Sequence, residues 1–349
     1  MALQGSGRIS FSQLESEFGR NNRRSIGDYR LNGGDNYVVG RGGSLGNLPL
    51  DAGVPQSGTI RFSDFYNKRL NMVVDYYSGG STRYRVDGRR KYNNRPNDVR
   101  CVGGFRSRPS NSSGTKVFLH VNVPIGSEKS QDRTRCAMRT GQWDSNTDLH
   151  VDVGSSGQIV GAGGDGADGI TCDGGSSGRN GTSGLGIQYT RGTTTVRVFS
   201  GGRIQAGFAG GGGGGGGHED PDKNSQDHAS SGGGGGGGAG LPSGNGGRGG
   251  DNAFGRGDKG SSGSGGSITA GGQGGSGGDG GGSEGGDGGR GGSPGQSAGG
   301  GGDGGGNVCS GDGTGAGQNG AAIRRVSGAN FNLSNSGTVS GGTNGSGVS

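Results

Sequence analysis

Between His218 and His228 the chain gathers His218, Glu219, Asp220, Asp222, Asp227 and His228, the oxygen and imidazole donors that divalent cations take. Their spacing matches neither a calcium-binding helix-loop-helix nor an H-E-x-x-H zinc pair, so the reading is a solvated polar loop without a metal. Arg256-Gly257-Asp258 spells a cell-adhesion tripeptide, but a chain with 98 glycines meets that triplet by chance. The G-x-G-x-x-G matches have no strand before them and no helix after them, and no phosphate-binding G-x-x-x-x-G-K-[ST] occurs. Serines abound, yet no motif links His120 or His150 to a nucleophile. The expectation is a protein that is not an enzyme and uses no cofactor. Cys101, Cys136, Cys172 and Cys309 are too dispersed for a zinc or C-x-x-C redox site. A Cys101–Cys136 bridge stays open, with small buried thiols the favoured reading.

The elements that position such residues cannot rest on one large apolar core. Of 349 residues only 24% are hydrophobic, about half the usual share. With just 8 prolines, collagen is excluded as well. The formal charge is +6, and the arginines cluster before residue 140. The stretch Arg83 to Arg100, with Tyr84 and Tyr92, comes nearest to a nucleic-acid footprint, but a solvated basic face is favoured and no nucleic acid is expected. No run has the 18 or more apolar residues of a membrane span, so membrane insertion is not expected. Met1 to Gly5 lacks the pattern of a signal peptide, and action outside a cell implies another route of export.

Three regions are expected. In residues 1–72 the pattern S-G-x-I-x-F-S-x-[LF] occurs twice, at Ser6–Leu14 and Ser57–Phe65. Ile9 with Phe11, and Ile60 with Phe62, share a side of an extended segment, after which Ser12 or Ser63 can cap a short helix starting at Gln13 or Asp64. Each copy is too small to stand alone, so the two pack on each other or on a partner. Residues 73–160 open on an Arg/Tyr-rich stretch and continue into a small β-region. There Val117, Leu119, Val121 and Val123 alternate as in a half-buried strand, and Trp143 anchors the core or, less simply, stacks on a sugar. A strand-turn-strand unit then recurs from Val151 to Ile159, Val196 to Ile204 and Phe331 to Val339, each copy running into glycine-rich sequence.

Residues 161–349 form the glycine-rich region. Ordering glycine backbone costs about 1–2 kcal/mol per residue or more, so composition by itself favours a flexible linker. Phase argues otherwise. Between Gly271 and Ser293 the chain reads G-G-x with Gln273, Ser276 and Asp279 three apart, slips once, and resumes at Asp287, Arg290 and Ser293. Three residues per turn is the repeat of an extended left-handed helix, whose bare edges let neighbours hydrogen-bond backbone to backbone. The expected fold is therefore mostly irregular and β, with a small N-terminal docking region, short strands and a C-terminal polyglycine II helix bundle. The pure runs Gly210–Gly217 and Gly232–Gly238 belong in its interior, and segments with larger polar side chains become its loops. Two such loops are His218 to His228, which also carries Lys223, Asn224 and Gln226, and Asp251 to Lys259, with Asn252, Phe254 and Arg256.

These features resemble the glycine-rich tail-fibre adhesins of tailed bacteriophages, including marine and cyanobacterial ones. Gly5-Ser6-Gly7-Arg8-Ile9-Ser10-Phe11-Ser12-Gln13-Leu14, echoed at Ser57–Phe65, is similar to a motif at the N-termini of such virion proteins. Thr140-Gly141-Gln142-Trp143, Leu149–Val153 and Gly157–Gly164 are similar to the strand-and-glycine unit of these fibres. The resemblance implies a protein of the virion, made in the host cytoplasm and acting outside it. Ile9, Phe11, Leu14, Ile60, Phe62 and Phe65 would dock it on other tail-fibre or baseplate proteins. The loop residues His218, Glu219, Asp220, Asp222, Lys223, Asn224, Gln226, Asp227, His228, Asn252, Phe254, Arg256 and Lys259 would touch a host outer-surface protein or lipopolysaccharide. The stretch Arg83 to Arg108 departs from the pattern. Two alternatives stand beside this reading, a passive structural or decorating virion protein and an ice-binding protein built on flat glycine helices.

Overall fold

The computed structural model describes residues 3–18, 25–29, 54–55, 57–68, 72–76, 83–84, 86–87, 99–102, 114, 116–172, 175–220, 228–251 and 257–349. In the N-terminal region the two motif copies fold against each other. Ile9 and Leu14 of the first and Phe65 of the second are buried with Leu3, Tyr29 and Val54, while Phe11, Ile60 and Tyr66 pack against them partly buried. The Tyr29 ring meets Phe11 and Phe65 edge-on, with centroids 5.7 and 6.4 Å apart. Helix α1 (Phe11–Phe18) starts before the expected Gln13. Its cap is Ser10, not Ser12: Ser10 Oγ accepts from the Gln13 N–H at 3.3 Å, and Gln13 Oε1 accepts from the Ser10 N–H at 2.7 Å. The second copy makes a single 3₁₀ turn, Phe62–Phe65, where the Arg61 N–H donates to Asp64 Oδ2 at 2.7 Å.

The strands that follow wind into a three-sided solenoid. Its first coil is β1 (Met72–Tyr76), β2 (Arg83–Tyr84) and β3 (Val86–Asp87), followed by β4 (Val99–Val102), which pairs antiparallel with β1. The second coil is β5 (Lys116–Val121), β6 (Pro124–Gly126) and β7 (Cys136–Arg139). The third is β8 (Asp148–Val153), β9 (Gln158–Val160) and β10 (Ser183–Ile187). The fourth has β11 (Thr193–Val198) and β12 (Arg203–Gln205), then an excursion holding β13 (Gly217–Glu219), β14 (His228–Ser230) and β15 (Cys309–Ser310), and closes on β16 (Ile323–Arg325). The fifth is β17 (Asn330–Asn335), β18 (Thr338–Ser340) and β19 (Gly345–Ser346). The sheets run β17-β11-β8-β5-β1-β4, β18-β12-β9-β6-β2 and β19-β16-β10-β7-β3, so each coil gives one strand to each side. All coil-to-coil pairings are parallel. Strands on both sides of residue 160 thus belong to the same sheets, and the small β-region expected over 73–160 is one part of a solenoid that 183–205 and 323–346 complete.

Alternation explains the core. Inward positions stack coil on coil as Val74–Leu119–Val151–Val196–Leu333, Ile125–Ile159–Ile204–Val339 and Met138–Leu185–Ile323. Trp143 is buried in this core, its Nε1–H donating to the Thr140 carbonyl at 2.9 Å, which is the anchoring role. Strand β5 is buried on both faces, not half-buried as alternation suggested. On its outer side Phe118 stacks on His150 at 4.7 Å, and the buried Asp152 receives a two-pronged ion pair from Arg197 at 2.6 and 2.5 Å. That hydrogen bond to Asp152 raises the Arg197 pKa, against the lowering effect of burial.

The repeated unit is a corner, with its two strands in different sheets. Gly157 closes one such corner because a Cβ there would lie 2.1 Å from the Val121 carbonyl oxygen of the coil beneath. The third copy is displaced from its sequence alignment. Val196 pairs with Val151 and Leu333, and Val198 with Val153 and Asn335, so Phe331 falls opposite Thr194. An even shift keeps the inward side chains facing inward.

The glycine-rich sequence leaves the solenoid at one corner of successive coils, between β9 and β10 and between β12 and β16. Apart from Ser310 at the end of β15, it forms extended segments that are neither α-helix nor ladder strand: 161–172, 175–182, 206–216, 231–241, 244–251, 257–267, 271–280, 285–293, 298–305 and 310–320. Their hydrogen bonds repeat every third residue. Gly164, Ala167 and Ile170 donate to Phe208, Gly211 and Gly214, whereas Gly163, Gly166 and Gly169 donate to Pro242, Asn245 and Arg248. These partners define three layers. One holds 175–182, 161–172 and 244–251; the middle one holds 310–320, 206–216, 231–241 and 257–267; the third holds 298–305, 285–293 and 271–280.

Segments 206–216 and 231–241 are bonded on every side and are buried from 206 to 216 and from 231 to 240. A Cβ on Gly213 would lie 2.0 Å from the Asp168 carbonyl oxygen, one on Gly214 1.8 Å from that of Gly286, and one on Gly215 1.8 Å from that of Gly311. No side chain fits there. On the outer layers Gln273, Ser276, Asp279, Asp287 and Arg290 are exposed at the expected spacing, and the slip between them is the turn at 280–284. Where a backbone N–H lacks a neighbouring carbonyl, a short side chain supplies the oxygen. Asp165 accepts from Asn245 N and Asp168 from Arg248 N, each at 2.7 Å, and Ser264 Oγ accepts from Gln273 N at 2.7 Å.

Candidate functional site

Because the segments alternate in direction, their connections fall at two ends. The turns at 241–244, 267–270 and 293–297 lie toward the solenoid, where the Leu241 carbonyl accepts from the Ser127 N–H at 3.0 Å. The described flanks of the long polar connections, 217–220 with 228–230 and 251 with 257–259, lie at the other end. There β13 and β14 form a hairpin that pairs His218 with Ala229 and Glu219 with His228, and β15 adds to β13 with Cys309 opposite His218. Two further turns join this patch through the bridges Asp279–Glu284 and Glu284–Gly305. Asp220 and Asn307 exchange hydrogen bonds, Asp220 N–H to Asn307 Oδ1 at 3.0 Å and Asn307 Nδ2 to the Asp220 carbonyl at 3.4 Å. The Ser283 hydroxyl donates to the His228 carbonyl at 3.3 Å.

A cleft of about 420 Å³ opens on this tip, lined by Asp279, Gly282, Glu284, Gly305, Gly306 and Asn307. Val308 stands beside it 54% exposed, an apolar side chain among carboxylates and amides. A Cys172–Cys309 disulfide ties the end of segment 161–172 to β15. This pairing corrects the reading of small buried thiols for those two residues, while Cys136 is a buried thiol that donates to the Thr134 carbonyl at 3.3 Å. Local sequence could not reveal a bridge spanning 137 residues, because only the stacking of segments brings its ends together.

His218, Glu219, Asp220 and His228 are thus at the tip. Lys259 lies exposed on the strand returning from the second loop and pairs with Asp251 at 2.9 Å, an interaction that lowers the Asp251 pKa. Asp222, Lys223, Asn224, Gln226, Asp227, Asn252, Phe254 and Arg256 lie outside the described residues. Asp279, Glu284, Asn307 and Val308 join the tip without having been singled out. The slip in the three-residue period marked the first two, and the interruption of glycine by Asn-Val-Cys marked the others. His120 and His150 sit on the solenoid far along the chain from these loops, His150 Nε2 lying 3.0 Å from Asp148. Among the described residues no group of His, Cys, Asp and Glu could hold a metal ion. No helix is long and apolar enough to cross a membrane among the described residues.

At the N-terminal region, Ile9, Leu14 and Phe65 are taken up by internal packing, and among the described residues there Phe62, 39% exposed, is the large apolar side chain left facing outward. Compared with models of known families, with curated proteins and with solved structures, the chain gives no match.

Proposed function

We propose that the chain is an adhesin of a phage tail fibre, attached to the virion through its N-terminal region and binding a host surface protein or lipopolysaccharide with the tip of a polyglycine II sandwich. The observation that carries this reading is the gathering of the polar loops at the one end of the glycine body remote from the solenoid. The three-residue recurrence of donors and acceptors supports the polyglycine II assignment, since a threefold helix presents equivalent groups to the same neighbour every third residue. A stiff body whose two innermost segments are almost entirely glycine takes its order from backbone bonds within the body, so that variation at the tip leaves that interior unchanged. Adhesion through many weak polar contacts then gains strength from several copies per particle.

Deleting Glu219 to Asp227 should abolish or redirect host adsorption while particles still assemble. Adsorption unchanged by the deletion removes the loop from the reading. At the other end, Phe62→Asp should leave the chain folded but absent from purified particles, whereas normal incorporation refutes attachment through that surface.

A further inference from the structure

The two ends of the solenoid are finished differently. At the first coil, β4 lies antiparallel on β1. At the fifth, β17, β18 and β19 are each the last strand of their sheet, and no described strand pairs with their far edges. Three rows of backbone N–H and C=O groups therefore face the same way. The end of the core column is open as well, with Val326, Phe331 and Val339 only partly buried and Leu333 38% exposed. Among the described residues no segment lies over this end. After β19 the chain turns back along the side of the solenoid, where the Ser349 N–H donates to the Thr134 carbonyl at 2.9 Å and Val348 fills the space that a side chain on Gly186 would need.

Exposed strand edges are ordinarily guarded by charged residues or proline, because an unguarded edge pairs with whatever strand it meets. From Val326 to Ser349 the sequence contains no Asp, Glu, Lys, Arg or Pro. A neutral edge over an apolar layer is built to be covered, and the absence of charge removes any repulsion between like surfaces. The geometry is also self-complementary. A two-fold axis at right angles to the solenoid, through the middle of β17, sets β17 antiparallel to β17 of a second copy and lays each β18 on the other copy's β19. We infer that the fifth coil is a dimerisation surface, on which two copies of this chain stack end to end and continue both the sheets and the core column. Each dimer then carries two glycine bodies, doubling the tips available to a receptor.

The test is the mass of the purified full chain by sedimentation equilibrium, with exposed β17 positions changed to lysine. The wild type should sediment as a dimer, at about twice the chain mass of 34.2 kDa. The double variant N332K/S334K places like charges near each other across the two-fold axis and should weaken association by roughly tenfold or more, with an unchanged circular dichroism spectrum. Lysines at Gln273 and Ser276, exposed on the glycine body, should leave the dimer intact. A wild type that stays monomeric at tens of micromolar overturns the inference, and so does a dimer that survives N332K/S334K. Protection of the 330–340 amides on particles but not in a monomeric free protein also overturns it, and assigns the edge to another virion protein.

Discussion

Leu149 and Gly213 are both fully buried, yet they hold their surroundings in opposite ways. Around Leu149 the solenoid gains stability by removing side chains from water, and Val117 of the coil beneath repeats the same apolar position. Gly213 has no side chain to remove from water, and its N–H donates to the buried Thr314 hydroxyl at 2.7 Å. Carbonyl oxygens of other segments occupy the positions where Cβ atoms would sit, and order comes from directional backbone bonds made all round. Each such bond contributes only about 0.5–1.5 kcal/mol net, so the glycine body depends on all of its segments being present together. The solenoid core is held by apolar volume; the interior of the glycine body, as at Gly213, has no room for an added methyl group.

The sharpest way to break this contrast is Gly213→Val against Gly305→Ala. The first pushes atoms into the Asp168 carbonyl and should cost more than about 4 kcal/mol, seen as loss of amide protection across the glycine body. The second meets nothing within 4 Å and should stay within about 0.5 kcal/mol by thermal unfolding. Equal effects would mean that the body is not close-packed. In the solenoid, Leu149→Ala should cost about 2–5 kcal/mol, the range for a buried leucine, and should lower the thermal midpoint without selectively exposing the glycine amides.

Reducing Cys172–Cys309, or replacing both cysteines by serine, should cost about 2–4 kcal/mol and loosen the tip while the solenoid keeps its exchange protection. A uniform loss across both regions would contradict a bridge acting at the tip alone. The smallest effect concerns the Asp132 carboxyl, held below its ordinary pKa by the Thr134 hydroxyl first, then the Thr134 N–H and the Ser349 hydroxyl. A depressed folded pKa means that its contribution is complete above the ordinary carboxylate value and disappears as the pH falls through the depressed one. Acidification should therefore release the tail at Ser349, read from faster exchange of its amide, with the glycine body unaffected.

Much of the architecture could be read locally. Alternation at Val117 to Val123, the corners ending at Gly157, Gly202 and Gly337, the three-residue phase from Gly271 to Ser293 and the two pure glycine runs are short-range patterns. Each reflects a constraint acting within a few residues, either a side-chain period or a position too crowded for a Cβ. The polar loops followed by exclusion, since their side chains do not fit between glycine segments.

Partner choice across long stretches of chain was settled only by the tertiary structure. Repeats separated by glycine excursions stack as consecutive coils, Phe331 slides past Val196 to face Thr194, Cys172 meets Cys309, and Asp279, Glu284 and Asn307 arrive beside Glu219. Nearly identical glycine segments carry no side chains to tell one neighbour from another. Their arrangement is set by where the solenoid launches them, how long each connection is, and which edge side chains find a bare N–H to bond.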